Sequence, residues 1–179
     1  MKKIISLVLL FTFALSGCEK DDICDANTPT TPRLIIEFYD INNPDLLKTV
    51  TNLKVIGQGM SEGIVFNETA TDDSKYRTNA SSIAIPLKTN EDTCTYSFIL
   101  NDGNSNPALI NEDIITFNYS RRDEYVSRAC GFKTVYELNS SNPFVQTDGV
   151  NNDGSWMQIV ELVEPNIENE NEAHFKVFF

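Results

Sequence analysis

The 179-residue chain predicts an all-β fold: one single-domain antiparallel β-sandwich, Ig-like or similar, of about ten short strands. Three observations carry that reading. Apolar and polar residues alternate in short runs along most of the chain, the period of a strand with one buried face. Clusters of Gly, Asn, Asp and Pro separate the runs. No long segment keeps an apolar period of 3.6 residues, and no repeat of fixed period is present.

The elements follow in order. In 33–40, Leu34, Ile36 and Phe38 fall on one face and Arg33, Ile35, Glu37 and Tyr39 on the other, which predicts the first strand. Asn42-Asn43-Pro44-Asp45 reads as a turn and Leu46-Leu47-Lys48 as a short helical turn. Residues 52–57 and 63–67 predict two short strands around the turn signal Gly57-Gln58-Gly59, and 69–74 is polar loop. Residues 81–87 align Ile83, Ile85 and Leu87. Pro86 has no amide hydrogen, which places it at an edge or a strand end. Residues 93–101 present Cys94, Tyr96, Phe98 and Leu100 together, and 101–104 is a turn. Residues 113–120 align Ile115, Phe117 and Tyr119. Strands at 124–130 and 132–138 follow, split by Gly131, the second aligning Phe132, Thr134, Tyr136 and Leu138. Residues 139–154 read as the longest loop, 155–164 as a strand, 164–172 as an acidic, Asn-rich turn, and 173–179 as the last strand. The aromatic C-terminus also suits an outer-membrane barrel. Barrel strands need about 9–11 residues and a lipid-facing apolar stripe, which these shorter, imperfectly alternating runs do not offer.

The first residues carry an address. Lys2 and Lys3 precede an apolar run over 4–15, too short to cross a hydrocarbon core of ~30 Å as a helix. Leu15-Ser16-Gly17-Cys18 then matches the lipobox of bacterial lipoproteins. The resemblance implies cleavage before Cys18 and its acylation, hence a signal peptide at 1–17, a lipidated tether at 18–32 and a β-sandwich domain at 33–179. Several acyl chains hold firmly where one holds marginally. Glu19, Lys20, Asp21 and Asp22 resemble the export signal of surface lipoproteins in Bacteroidetes-type bacteria. They imply an outer-membrane lipoprotein facing the cell exterior.

Composition narrows the partners. Asp and Glu number 26 against 14 Lys and Arg, a formal net charge of −12, and the leader takes lysines but no acid. Such a chain has no electrostatic reason to bind nucleic acid. Of four cysteines, acylation of Cys18 leaves Cys24, Cys94 and Cys130. An oxidising compartment predicts one disulfide. Cys94 with Cys130 joins two predicted strands, and Cys24 with Cys130 pins the tether to the domain. The residues leave that choice open, and their spacing matches no zinc motif.

Candidate chemistry is sparse. His174 is the only histidine; it reads as a surface residue, and Gly-x-Ser-x-Gly is absent, so no hydrolase triad is visible. Glu37, Glu137 and Glu161 fall in strands, but in so acidic a chain carboxylate pairs arise by chance. No catalytic residue and no metal is assigned. The loop 148–154 resembles a calcium loop, with Asp148, Asn151 and Asp153 as an irregular site, although an EF-hand alignment fails at both key positions. Arg121, Arg122, Arg128 and Lys133 cluster as an anion or partner patch, or pair with the domain's own acids. Trp156, the sole tryptophan, is a candidate glycan platform, although its phase with Val160 and Leu162 points to the core. Tyr39, Tyr76, Tyr119, Tyr125 and Tyr136 are further platforms.

Three segments resemble an uncharacterised family of flavobacterial surface lipoproteins: 18–24, 28–40 and Tyr125-Val-Ser-Arg-Ala-Cys-Gly-Phe-Lys133. The family has no assigned activity, so the resemblance implies location and no mechanism. It makes Cys24 and Cys130 look like family features and tips the disulfide toward that pair. The expectation is a non-enzymatic surface domain that binds a glycan or an envelope protein. The alternatives are an accessory subunit of an outer-membrane complex and, further off, a glycan-acting hydrolase.

Overall fold

The computed structural model describes residues 23–26, 28 and 30–179. The leader, Cys18 and the segment Glu19, Lys20, Asp21 and Asp22 lie outside the described residues. The described part is an all-β sandwich of two sheets. No helix in it is long and apolar enough to cross a membrane.

In the first sheet β1 (Leu34–Asp40) is the hub. Along one edge it pairs in parallel with β12 (Phe175–Phe178), Ile36 opposite Phe175 and Phe38 opposite Val177. Along the other it pairs antiparallel with β5 (Ser82–Ile85) and, at its end, with β2 (Asn43–Leu47). Beyond β12 lies β10 (Ile159–Leu162).

The second sheet runs β11 (Asn166–Ile167), β8 (Gly131–Leu138), β7 (Asn111–Ser127), β6 (Thr93–Leu100), β3 (Leu53–Gly57) and β4 (Arg77–Thr78). The short β9 (Phe144–Asp148) also pairs with β7, Phe117 opposite Phe144 and Asp113 opposite Asp148. Alternation sends Ile115, Phe117 and Tyr119 of β7 and Cys94, Tyr96 and Phe98 of β6 into the core. Leu34, Ile36, Phe38, Phe175 and Val177 fill it from the first sheet. Phe175 meets both Phe117 and Phe144 at ring-centroid distances of 5.4 Å, which joins the sheets. Each such ring contributes about 1.5–3 kcal/mol by leaving water.

The sandwich is formed by 31–123 with 134–179. Residues 124–133 group instead with the segment preceding Thr31. That second unit contains the disulfide, Cys24 with Cys130, across a sequence separation of 106. Cys94 is free and buried, so the Cys94–Cys130 alternative falls. In the same unit Tyr125 and the exposed Phe132 stack edge to face at 5.5 Å. Phe132 is therefore not a core partner of Thr134, Tyr136 and Leu138, which are buried.

Several elements differ from expectation. Leu46 and Leu47 belong to β2 and not to a helical turn, because Leu47 finds a ladder partner in Tyr39. Residues 63–67 make no strand: Ile64 N–H donates to Val55, while Phe66 and Asn67 N–H both donate to the Lys75 carbonyl, so the bonds go to two different segments and form no ladder. The strands expected at 113–120 and 124–130 are one strand, β7, of 17 residues. The loop expected at 139–154 contains β9, and the turn at 164–172 contains β11. Where Asn101 and Gly103 adopt positive φ (58° and 76°), the turn at 101–104 forms as expected.

Candidate functional site

Three places gather chemistry in the sandwich. The first is the middle of β7, where Arg121 and Arg122 line a cavity of about 290 Å³ with Ser120, Tyr136, Glu137 and Glu168. The two guanidiniums are engaged. Arg121 Nε donates to Asp92 at 2.6 Å and its Nη1 to the Thr89 carbonyl at 2.6 Å. Arg122 Nη2 reaches Glu168 at 3.2 Å. The basic patch expected here is thus divided. Lys133 pairs with Glu124 at 3.3 Å within the other unit, and Arg128 is exposed in the turn before β8. The domain's own acids answer the basic side chains of the cavity, which argues against an open anion site.

The second is a cluster of buried tyrosines around Cys94. Their hydroxyls converge on one stretch of backbone. Tyr96 donates to the Pro86 carbonyl and Tyr136 to that of Leu87, while Tyr119 accepts from the Lys88 amide at 3.0 Å. Burial pushes the Cys94 thiol and all three phenols up from their ordinary values. These hydroxyls hold residues 86–88 onto the second sheet and are not available as platforms. Trp156 is corrected in the same way. It is buried, its ring packs on Phe179 at 5.4 Å, and its indole N–H donates to the Phe98 carbonyl at 3.1 Å. A buried indole with its one donor satisfied is a core residue and not a glycan platform.

His174 is also corrected: it is 1 % exposed. Its Nδ1 accepts from the Ile35 amide at 2.9 Å, which fixes its neutral form beside β1. Burial lowers its pKa below 6.5, against the pull of Glu164 and Glu170. Glu37, Glu137 and Glu161 do lie in strands, β1, β8 and β10.

The third place is the start of β7 and the end of β9. Asp113 lies in phase with Ile115 and Phe117 and is 0 % exposed. Asp148 stands opposite it in register, and Asn111 is two residues before it on the same face. All three side chains hold the backbone that follows β9. Asp113 Oδ2 accepts from the Met157 amide at 2.8 Å, and Asp148 Oδ2 from the Gly154 amide at 2.9 Å. Asn111 Nδ2 donates to the Gly154 carbonyl at 2.6 Å. Two glycines make this closure feasible. Gly154 sits at φ 93°, and a Cβ on Gly149 would lie 2.5 Å from the Glu112 carbonyl oxygen. Each side chain has one oxygen left, and Asn111 Oδ1, Asp113 Oδ1 and Asp148 Oδ1 are buried with no hydrogen-bond partner. Burial raises the Asp113 carboxyl from its ordinary value; the Met157 amide and the nearby Ser155 hydroxyl pull it back, and the charge of Asp148 raises it further.

Of the calcium candidates, Asp148 is in this corner, while Asn151 and Asp153 are exposed in the loop. Sequence reasoning missed Asn111 and Asp113. The signal was present: an aspartate in phase with Ile115, Phe117 and Tyr119 is an acid on a buried face, where acids are rare unless partnered.

Fold and site together define a β-sandwich domain with an inward-facing acid corner. The chain belongs to a family of unknown function, DUF6452, whose model matches residues 52–179. No curated protein and no solved structure matches the chain. Asn111, Asp113, Asp148 and the segment 125–133 fall inside the family match; the segments 18–24 and 28–40 lie outside it.

Proposed function

We infer that this chain is a lipoprotein of a flavobacterial outer membrane, anchored through Cys18 and facing the cell exterior. Its β-sandwich works there as a non-enzymatic interaction domain. The observation that carries the reading is Leu15-Ser16-Gly17-Cys18 followed at once by Glu19, Lys20, Asp21 and Asp22. The Cys24–Cys130 disulfide supports it, because structural disulfides belong to oxidising compartments. Cys24 follows Cys18 so closely that even extended chain holds the disulfide within roughly 20 Å of the acylated residue.

The surface favours a protein over a glycan as the occupant. Trp156 is in the core, and the exposed pair Tyr125 and Phe132 meets at 70° instead of offering one plane. An open apolar groove is lined by Ile41, Pro44, Ile159, Leu162 and Phe178, with Ile159 half exposed. That groove also suits an accessory subunit of an outer-membrane complex. A hydrolase has less support, since the only histidine is buried with its Nδ1 engaged.

The test is metabolic labelling of the full chain with an alkyne fatty acid, followed by protease treatment of intact cells. Wild type is expected to carry the label, C18A to lose it, and protease to remove the domain. An unlabelled wild type contradicts the anchor. A domain sheltered on cells whose other surface proteins are shaved contradicts the outward orientation.

A further inference from the structure

Among the described residues, the buried side-chain nitrogens and oxygens without a hydrogen-bond partner are Asn111 Oδ1, Asp113 Oδ1 and Asp148 Oδ1. All three are oxygens, and all three belong to one corner. Antiparallel register puts Asp113 and Asp148 side by side on the inward face. Asn111 joins them through the two-residue period of β7. The bond from Asn111 Nδ2 to the Gly154 carbonyl fixes which end of that amide is left over.

The Ser155 hydroxyl and the Trp156 amide lie near the Asp113 carboxylate, yet none of the three leftover oxygens has a hydrogen-bond partner. On β6 their inward neighbours are Phe98, opposite Asp113, and Leu100, opposite Asn111. Among the described residues, no lysine, arginine or histidine pairs with either carboxylate. A buried carboxylate without a countercharge is costly, and two side by side repel. One proton shared between them relieves the repulsion but leaves the Asn111 oxygen unanswered. A cation answers all three.

We propose that Asn111, Asp113 and Asp148 bind a hard divalent cation of calcium's chemistry through these three oxygens. The donor set is carboxylate and carboxamide oxygen only, with no imidazole or thiolate, which selects calcium over zinc or copper. Magnesium demands a near-ideal octahedron and dehydrates reluctantly, whereas calcium accepts irregular geometry. The ion enters by the loop that closes the corner, whose residues 150–153 are exposed. Two carboxylates and an amide set the affinity in the weak range of extracellular modules, a Kd of about 10⁻⁴–10⁻³ M. Bound calcium locks residues 149–157 to β7, and with them Trp156 and Met157. The proposal is independent of the lipid anchor, and either can fail alone.

The experiment is calcium titration of the full chain, purified in detergent after chelation, read by calorimetry and by thermal unfolding. Calcium chloride is expected to raise the melting temperature, and magnesium chloride to raise it less. D148N, at a partly exposed position, is expected to fold and to weaken calcium binding more than about tenfold. D113N is expected to do the same, and D153N to bind as wild type does. A wild type indifferent to calcium overturns the proposal. So does calcium binding that survives in D148N, or that is lost in D153N.

Discussion

At its middle, β7 places Arg121 and Arg122 where acids from other segments meet them, Asp92 for one and Glu168 for the other. At its start, the same strand turns Asn111 and Asp113 inward beside Asp148, where nothing of opposite charge meets them. The first arrangement lies at the surface, where a long side chain finds a partner at little cost and adds little stability. The second lies where desolvation is expensive, and each acid holds one backbone amide with one oxygen and leaves the other unanswered. Paired charge at a surface is ordinary; unanswered charge in a core marks a place for something else.

Between the two, β7 is plain core, and its loss sets the scale. F117A removes a ring that contacts Phe175 across the sheets, and it is expected to destabilise by about 3–5 kcal/mol in urea denaturation. A much smaller loss means that the corner and the cavity, and not the sheet contact, hold this strand.

At the acid corner the sign reverses. In chelator at neutral pH, D113N is expected to be more stable than wild type by about 1–3 kcal/mol, because an amide N–H replaces an orphaned oxygen beside Asp148. With calcium present the order is expected to invert. A D113N that is less stable in chelator means that the charge is already answered within the chain.

His174 sharpens the contrast, as a buried polar group that does have its partner. Its folded pKa lies below its ordinary 6.5. It therefore contributes stability above that pH, and the contribution is lost as pH falls through the folded value. Melting temperature is expected to drop as pH is lowered below about 6.5, and H174N, which keeps an acceptor for the Ile35 amide, is expected to flatten that slope. An unchanged slope assigns the acid sensitivity to other groups.

The smallest effect belongs to the basic cavity. R122A removes an exposed pair, so its loss is expected to lie near the error of a denaturation curve and to vanish at high salt. A large, salt-insensitive loss contradicts the surface half of the comparison.

Alternation made the sandwich legible. The inward sets of β1, β6 and β7 can be read directly from Leu34-Ile36-Phe38, Cys94-Tyr96-Phe98 and Ile115-Phe117-Tyr119. Elements defined by a distant partner were not legible. Asn43–Leu47 carries a proline and reads as a turn until β1 pairs with it. Phe144–Asp148 is too polar to read as a strand until β7 supplies its ladder. The parallel pairing of β1 with β12 joins the two ends of the domain, which no local pattern encodes. The acid corner was half legible. Asp148 stands out in a turn-rich loop, whereas Asn111 and Asp113 become ligand candidates only once register sets them beside it.

The most direct measurement of the central claim uses terbium, which takes calcium's oxygen ligands and emits when a nearby indole is excited. Trp156, the sole tryptophan, adjoins Met157, whose amide donates to Asp113. Tryptophan-sensitised terbium emission is expected from the wild-type chain, displaced by calcium and lost in both D113N and D148N. Emission that is absent, or that persists unchanged in both variants, contradicts a cation site at the start of β7.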